Sequence, residues 1–221
     1  MKKILYIAVC ALLFCSACSD SDIEPNPSRQ AKRHITLTFS PGQARTRTAA
    51  DESRIDDINL YLFPASGGPA RHLYLSSQRS VVLELPEGDY ALYAVANAGA
   101  DMGEQTRDYI RTLRFEQAPD ALADGPLPMS AEQTVSVRGD MHIDVTLVRT
   151  VAKIDFSCTV AAEFAPKLQI KSVRICNAPC SMSLFAPSHA TTSGDVADTT
   201  PDTATGQTFS ASYYLLENRQ G

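Results

Sequence analysis

The sequence predicts an all-β sandwich with one short connecting helix. Three observations carry this prediction. Apolar residues recur at every second position through most of the chain, polar and turn-forming segments separate these runs, and only one segment has helical spacing. Many short strands with polar connections and little helix are typical of two packed β-sheets.

The first predicted strand is HITLTF. Its apolar residues Ile35, Leu37 and Phe39 alternate with Thr36 and Thr38. Because successive side chains of a strand point to opposite faces, this alternation indicates a strand with one buried face.

The second predicted strand, INLYLF, has apolar residues on both faces. Ile58, Leu60 and Leu62 lie on one face, and Tyr61 and Phe63 lie on the other. The next predicted element is a hairpin in SVVLELPEGDYALYAVAN. Its turn is PEGD, in which proline presets one backbone angle and glycine permits a positive φ.

The longest apolar run, MHIDVTLVRTVAKIDFSCTV, changes phase. The apolar residues up to Leu147 are odd-numbered, and those from Ala152 onward are even-numbered. A one-residue shift moves every side chain to the other face, so the sequence predicts a bulge or a crossing between sheets near Arg149 and Thr150.

The helical candidate spans residues 102–113, where Tyr109, Ile110 and Leu113 are expected to face a core. Residues 187–208 are rich in Thr, Asp, Ala and Ser, which predicts a flexible polar loop. A last strand is expected at 209–216.

The chain begins with an export leader. Two lysines precede an uncharged apolar run at residues 4–14, which is too short to span a membrane, and Ser16 and Ala17 stand directly before Cys18. This layout resembles the lipobox of bacterial lipoproteins, which implies a signal peptide at 1–17 and lipidation of Cys18. The alternative is an ordinary secretory peptide. Residues 18–33 are polar and contain two prolines, so we expect a flexible tether.

Composition excludes several functions. The formal net charge of −5 argues against a nucleic-acid partner, which would favour a basic face. No motif of a hydrolase, metalloprotease or phosphate-binding loop occurs, so we expect neither an enzyme nor a cofactor. Cys158, Cys176 and Cys180 lack the further ligands that a zinc site needs, and they allow at most one disulfide.

Four segments together resemble the Bacteroidetes fimbrillin family. They are LPEGDYALYAVAN, LPMS at 127–130, LVRTVAKIDF at 147–156 and YLLENRQG at the end of the sequence. The resemblance implies a lipoprotein precursor built of two transthyretin-like, Greek-key β-sandwich domains. On this basis we expect a first domain at 34–186, and a last strand with the start of a linker at 209–221. The second domain would be missing from this sequence.

The resemblance also implies a function. Members are shaft, tip or anchor subunits of a cell-surface fimbrium that supports adhesion, held to the outer membrane through acyl chains. They join other fimbrial subunits by strand exchange, in which a partner's strand fills the groove of the first strand. Here Ile35, Leu37 and Phe39 would fill that groove, and no small-molecule substrate is expected.

Arg45 and Arg47 match the place where polymerising members are cut by a trypsin-like protease. The loop at 40–54 contains no large apolar residue, and exposed loops are where proteolysis concentrates. An ordinary surface loop is the alternative.

A surface glycan-binding lipoprotein is the alternative function. Such a module usually displays exposed aromatic side chains, whereas this chain has no tryptophan and 7% aromatic residues.

Overall fold

The computed structural model describes residues 31–42, 53–123, 125–185 and 193–217. Almost all regular structure in these residues is β-strand, as the sequence predicts. The strands are β1 (Lys32–Pro41), β2 (Asp57–Pro64), β3 (Arg71–Ser76), β4 (Ser80–Pro86), β5 (Gly88–Ala96), β6 (Arg114–Glu116), β7 (Met129–Val137), β8 (Met141–Arg149), β9 (Val151–Thr159), β10 (Ile170–Val173), β11 (Ala178–Pro179), β12 (Ser181–Ser183), β13 (Val196–Ala197), β14 (Asp202–Gly206) and β15 (Thr208–Leu216).

Seven strands form the large sheet, in the order β3-β2-β5-β7-β8-β1-β4. Its two halves, β3-β2-β5-β7 and β8-β1-β4, are joined through β7 and β8 at only two residue pairs, Met129 with Arg149 and Ser130 with Val148. Apolar side chains from both halves form one buried cluster, so the halves pack face to face. The prediction of an all-β sandwich is confirmed.

Strand β2 is buried on both faces, because the sandwich core lies on one side and a second cluster on the other. Ile58, Leu60 and Leu62 enter the core, as predicted. Tyr61 and Phe63 face outward and are covered by the second cluster.

The helix, α1 (Arg107–Arg111), lies within the predicted helical segment and helps to form this second cluster. The side chain of Thr106 caps it by accepting a hydrogen bond from the Tyr109 amide at 3.2 Å. Ile110 is fully buried on the outer face of the sheet, and Leu113 is partly buried. Tyr109, however, is 49% exposed, so the expectation that it faces a core is wrong.

The phase change marks a crossing between sheets, as predicted. Strand β8 ends at Arg149 in the large sheet, and β9 begins at Val151 and pairs only with β15. The apolar residues of β9 are not covered by the sandwich core, because Ile154 and Phe156 remain 42% and 38% exposed. Within the described residues the large sheet thus uses no strand beyond Arg149, and the predicted domain boundary at 186 stays a prediction.

The expected polar loop at 187–208 is wrong for the part that the structure describes. Residues 193–208 contain strands β13 and β14, which pair with β11 and β10. Hydrogen bonds hold this segment to remote parts of the chain. The amide and hydroxyl of Thr200 both donate to Asp120, at 2.8 and 2.6 Å, and the Thr199 amide donates to the Ile175 carbonyl at 2.9 Å.

Candidate functional site

The first strand, β1, lies in the middle of its half of the sandwich. It pairs in parallel with β8 and antiparallel with β4, through seven residue pairs on each side. Without β1, the strands β4 and β8 would each present an unpaired backbone edge toward the other. A polypeptide strand is the ligand that such a slot binds, because it restores both rows of hydrogen bonds.

The three predicted groove-filling side chains of β1 all enter the sandwich core. Ile35, Leu37 and Phe39 are 0%, 1% and 2% exposed, and they belong to one cluster with Leu83 of β4 and Val145 of β8. Burial of such a side chain contributes about 1.5–3 kcal/mol, so the three together contribute roughly 5–9 kcal/mol as an upper estimate.

Polar contacts hold β1 near both ends. The His34 amide donates to the Asp140 carboxylate at 2.9 Å. Directly after the strand, the Gly42 amide donates to the Leu147 carbonyl at 2.7 Å, and the Arg149 guanidinium donates to the Gly42 carbonyl at 3.0 Å. These contacts fix where β1 enters and leaves the sheet.

The other predicted site residues, Cys18, Arg45 and Arg47, lie outside the described residues. Within the described ranges, no group of three or more His, Cys, Asp and Glu side chains is placed to hold a metal ion. Across those same ranges, no helix has the length and apolar character needed to cross a membrane.

A second feature, which the sequence analysis did not predict, is a cavity of about 550 Å³ beside α1. We call it the α1 cavity. The polar residues His72, Glu104, Gln105 and Thr106 line it together with the exposed ring of Tyr109. Its volume is within the range of small-molecule sites.

Buried polar side chains of β2 fix one wall of the α1 cavity. Asn59 is fully buried, and its amide group donates to the Ala100 carbonyl at 2.9 Å. Its oxygen accepts from the Met102 amide at 2.9 Å and lies 3.2 Å from His72 Nε2. Because that oxygen can only accept, His72 carries its proton on Nε2, and Nδ1 remains an acceptor in the neutral ring.

Tyr61 supports the same wall. Its ring stacks on the His72 ring with centroids 4.5 Å apart, and its hydroxyl donates to the Gly103 carbonyl at 2.9 Å. Burial, and to a smaller extent the nearby Asp101 carboxylate, raise the pKa of Tyr61 to about 12. Both effects disfavour the phenolate, which could not donate to Gly103.

Alkaline pH is therefore expected to weaken the fold in part through Tyr61. The unfolded chain loses the Tyr61 proton near pH 10, whereas the folded chain retains it up to about pH 12. Between these values the unfolded state binds fewer protons, so the free energy of unfolding falls as pH rises.

Urea denaturation between pH 9 and 12 measures this fall. In Tyr61→Phe the free energy of unfolding should fall less steeply with rising pH than in the wild type, although other tyrosines also contribute. An identical slope in both proteins would contradict the assignment.

The signal that could have indicated the α1 cavity is the polar pair Asp57 and Asn59 inside a buried strand. A polar side chain in such a strand is costly unless its hydrogen bonds are satisfied. Here both residues bind the chain that follows β5. The Asp57 carboxylate accepts from the amides of Ala98 and Gly99, each at 3.0 Å.

Comparison of the sequence with protein-family models and with curated proteins gives no match. Solved structures do match. A candidate cell adhesion protein from Bacteroides eggerthii has a TM-score of 0.58 at 16% identity, over 85% of this chain and 70% of that chain. The tip fimbrial protein Mfa3 from Porphyromonas gingivalis, with a C-terminal truncation, has a TM-score of 0.57 at 16% identity over the same shares.

A fimbrial assembly protein from Parabacteroides distasonis also matches, with a TM-score of 0.52 at 14% identity, over 86% of this chain and 78% of that chain. At these identities the similarity establishes the fold. The chain has the all-β fold seen in these fimbrial and candidate adhesion proteins.

Proposed function

We propose that this chain is a structural subunit of a cell-surface fimbrium and that it assembles by strand exchange at the position of β1. The observation that carries the proposal is the central place of β1 between β4 and β8, with three apolar side chains buried in the core. The fold shared with solved fimbrial proteins supports it.

Chain connectivity favours β1 as the replaceable strand. The next strand of the large sheet begins at Asp57, and Arg45 and Arg47 lie between it and β1. A cut after either arginine would separate β1 covalently while leaving β2 to β8 continuous. The proposed exchange then needs only the replacement of one strand by another of similar pattern.

A peptide competition experiment tests strand exchange. The chain is cut with trypsin between β1 and β2, and a fluorescent peptide of residues 32–41 is added. We expect the peptide to be incorporated. A control peptide with Ile35, Leu37 and Phe39 changed to serine should fail, whereas one with Thr36 and Thr38 changed to serine should bind.

Equal incorporation of all three peptides, or of none, would count against exchange at this slot. Electron microscopy of surface filaments with the protein labelled tests the fimbrial assignment separately. Label spread over the cell surface, with none on filaments, would argue against a subunit role.

Processing at Arg45 or Arg47 is proposed as the step that frees the slot. N-terminal sequencing of the mature protein is expected to give Thr46 or Thr48. A blocked, acylated terminus at Cys18 would instead indicate a subunit that keeps its first strand, as an anchor would.

Lipidation of Cys18 is proposed as the membrane attachment. Replacing Cys18 with alanine is expected to move the protein from the detergent phase to the aqueous phase in a phase-separation assay, because stable attachment requires acyl chains. Cys15→Ala is the matched control and should remain in the detergent phase. Release by Cys15→Ala with retention of Cys18→Ala would show that the other cysteine is modified.

A further inference from the structure

We propose that the α1 cavity binds a neutral hexose unit of a surface glycan. The inference is independent of the proposed strand exchange, because the cavity lies on the outer face of the half-sheet β3-β2-β5-β7, away from the β1 slot. Its volume of about 550 Å³ suits one or two sugar rings and exceeds that of three other cavities formed by the described residues, which measure about 260–300 Å³.

Tyr109 provides the stacking surface. Its ring borders the cavity and is 49% exposed, although it lies on a helix whose neighbouring residue Ile110 is fully buried. An aromatic ring with one free face and a polar tip can pack against the apolar face of a sugar while its hydroxyl remains in water.

The polar groups around this ring are mainly hydrogen-bond acceptors. They are the Glu104 carboxylate and the side-chain oxygen of Gln105. The Gln105 amide nitrogen is already directed at the Met102 carbonyl, at 2.8 Å, so its oxygen is free to point elsewhere. Sugar hydroxyls are donors, and they match such a set.

Charge selects a neutral sugar over an acidic one. Among the described residues that line the cavity there is no lysine or arginine, whereas Glu104 is one of them, and Asp101 lies 3.6 Å from His72. A sialic or uronic acid carboxylate would meet this negative charge without a cationic partner.

The wall of the cavity is preorganised. Asn59 and Tyr61, both fully buried, contact His72, which lines the cavity, and their hydrogen bonds of 2.9 Å hold Ala100, Met102 and Gly103, directly before the lining residues Glu104 to Thr106. A segment held in this way loses little conformational freedom when a ligand binds, which favours recognition of small, weakly binding ligands.

Saturation-transfer NMR with the purified full chain tests the proposal. The probes are the methyl glycosides of glucose, galactose and mannose, with N-acetylneuraminic acid as the acidic comparison. We expect transfer to at least one neutral glycoside and none to the acid. Tyr109→Ala should weaken the binding about tenfold, because ring stacking contributes up to about 1.5 kcal/mol, and Tyr109→Phe should retain it.

Tyr74→Ala is the matched control, because Tyr74 is an exposed tyrosine that does not line the cavity. Glu104→Gln is a second variant that keeps the shape of the side chain and should alter the preference among the neutral glycosides. The proposal is overturned if no neutral glycoside binds, if only the acid binds, or if Tyr109→Ala binds as the wild type does. Unchanged peptide incorporation at the β1 slot in Tyr109→Ala would confirm that the two sites are separate.

Discussion

Replacing Leu37 with alanine is expected to lower the free energy of unfolding by about 2–5 kcal/mol. Leu37 is 1% exposed at the centre of β1 and packs in the core shared by both halves of the sandwich. Truncation removes apolar contacts and leaves a cavity, and the paired backbone on both sides of β1 limits how far the site can collapse.

Urea denaturation followed by circular dichroism measures this change. Thr36→Ala is the matched control, because Thr36 is the preceding residue of the same strand and points away from the core, so we expect a change within about 0.5 kcal/mol. If the two variants are destabilised equally, β1 does not occupy the central position described.

Replacing Asn59 with alanine is expected to destabilise the fold by about 2–4 kcal/mol. The change removes a fully buried side chain together with its hydrogen bonds to the amide of half-buried Met102 and to the carbonyl of exposed Ala100, and loss of a partner by a group out of water costs about 1–3 kcal/mol. It also removes the hydrogen bond to His72 and loosens the wall of the α1 cavity.

Hydrogen exchange provides a local measurement beside urea denaturation. In Asn59→Ala the Met102 amide should exchange faster than in the wild type, relative to amides of β1. Gln117→Ala is the control, because it removes an exposed side-chain hydrogen bond to the Ala121 carbonyl and should change stability little. An unchanged Met102 exchange rate in Asn59→Ala would refute the role assigned to Asn59.

The elements that the sequence predicted are those with a local pattern. The period-two alternation in β1 and the two apolar faces of β2 follow from side-chain direction alone. The phase change after Leu147 could be predicted for the same reason, because only a bulge or a sheet crossing reconciles the odd and even apolar sets.

What the sequence did not predict depends on contacts between distant segments. The parallel pairing of β1 with β8 has no local signature. Leu37 and its partner Ile143 lie in separate strands, and strands β2 to β7 lie between them in the chain. The ordered part of 193–208 was missed because Asp120 and Ile175, which bind it, are also remote in sequence. The α1 cavity arises where the chain after β5 crosses β2, a crossing that no single segment encodes.

The pairing of β1 also sets an order of events when the chain folds. Although β1 precedes the other strands of the sheet, the slot that receives it does not exist until β4 and β8 have both been made. Its parallel partner ends at Arg149, so during synthesis from the amino end the side of β1 that pairs with β8 stays unpaired while more than a hundred residues emerge. Contacts this distant in sequence form slowly. The pairing of β1 with β8 is therefore expected to form late, and the open edge of β1 must be shielded from other chains until then.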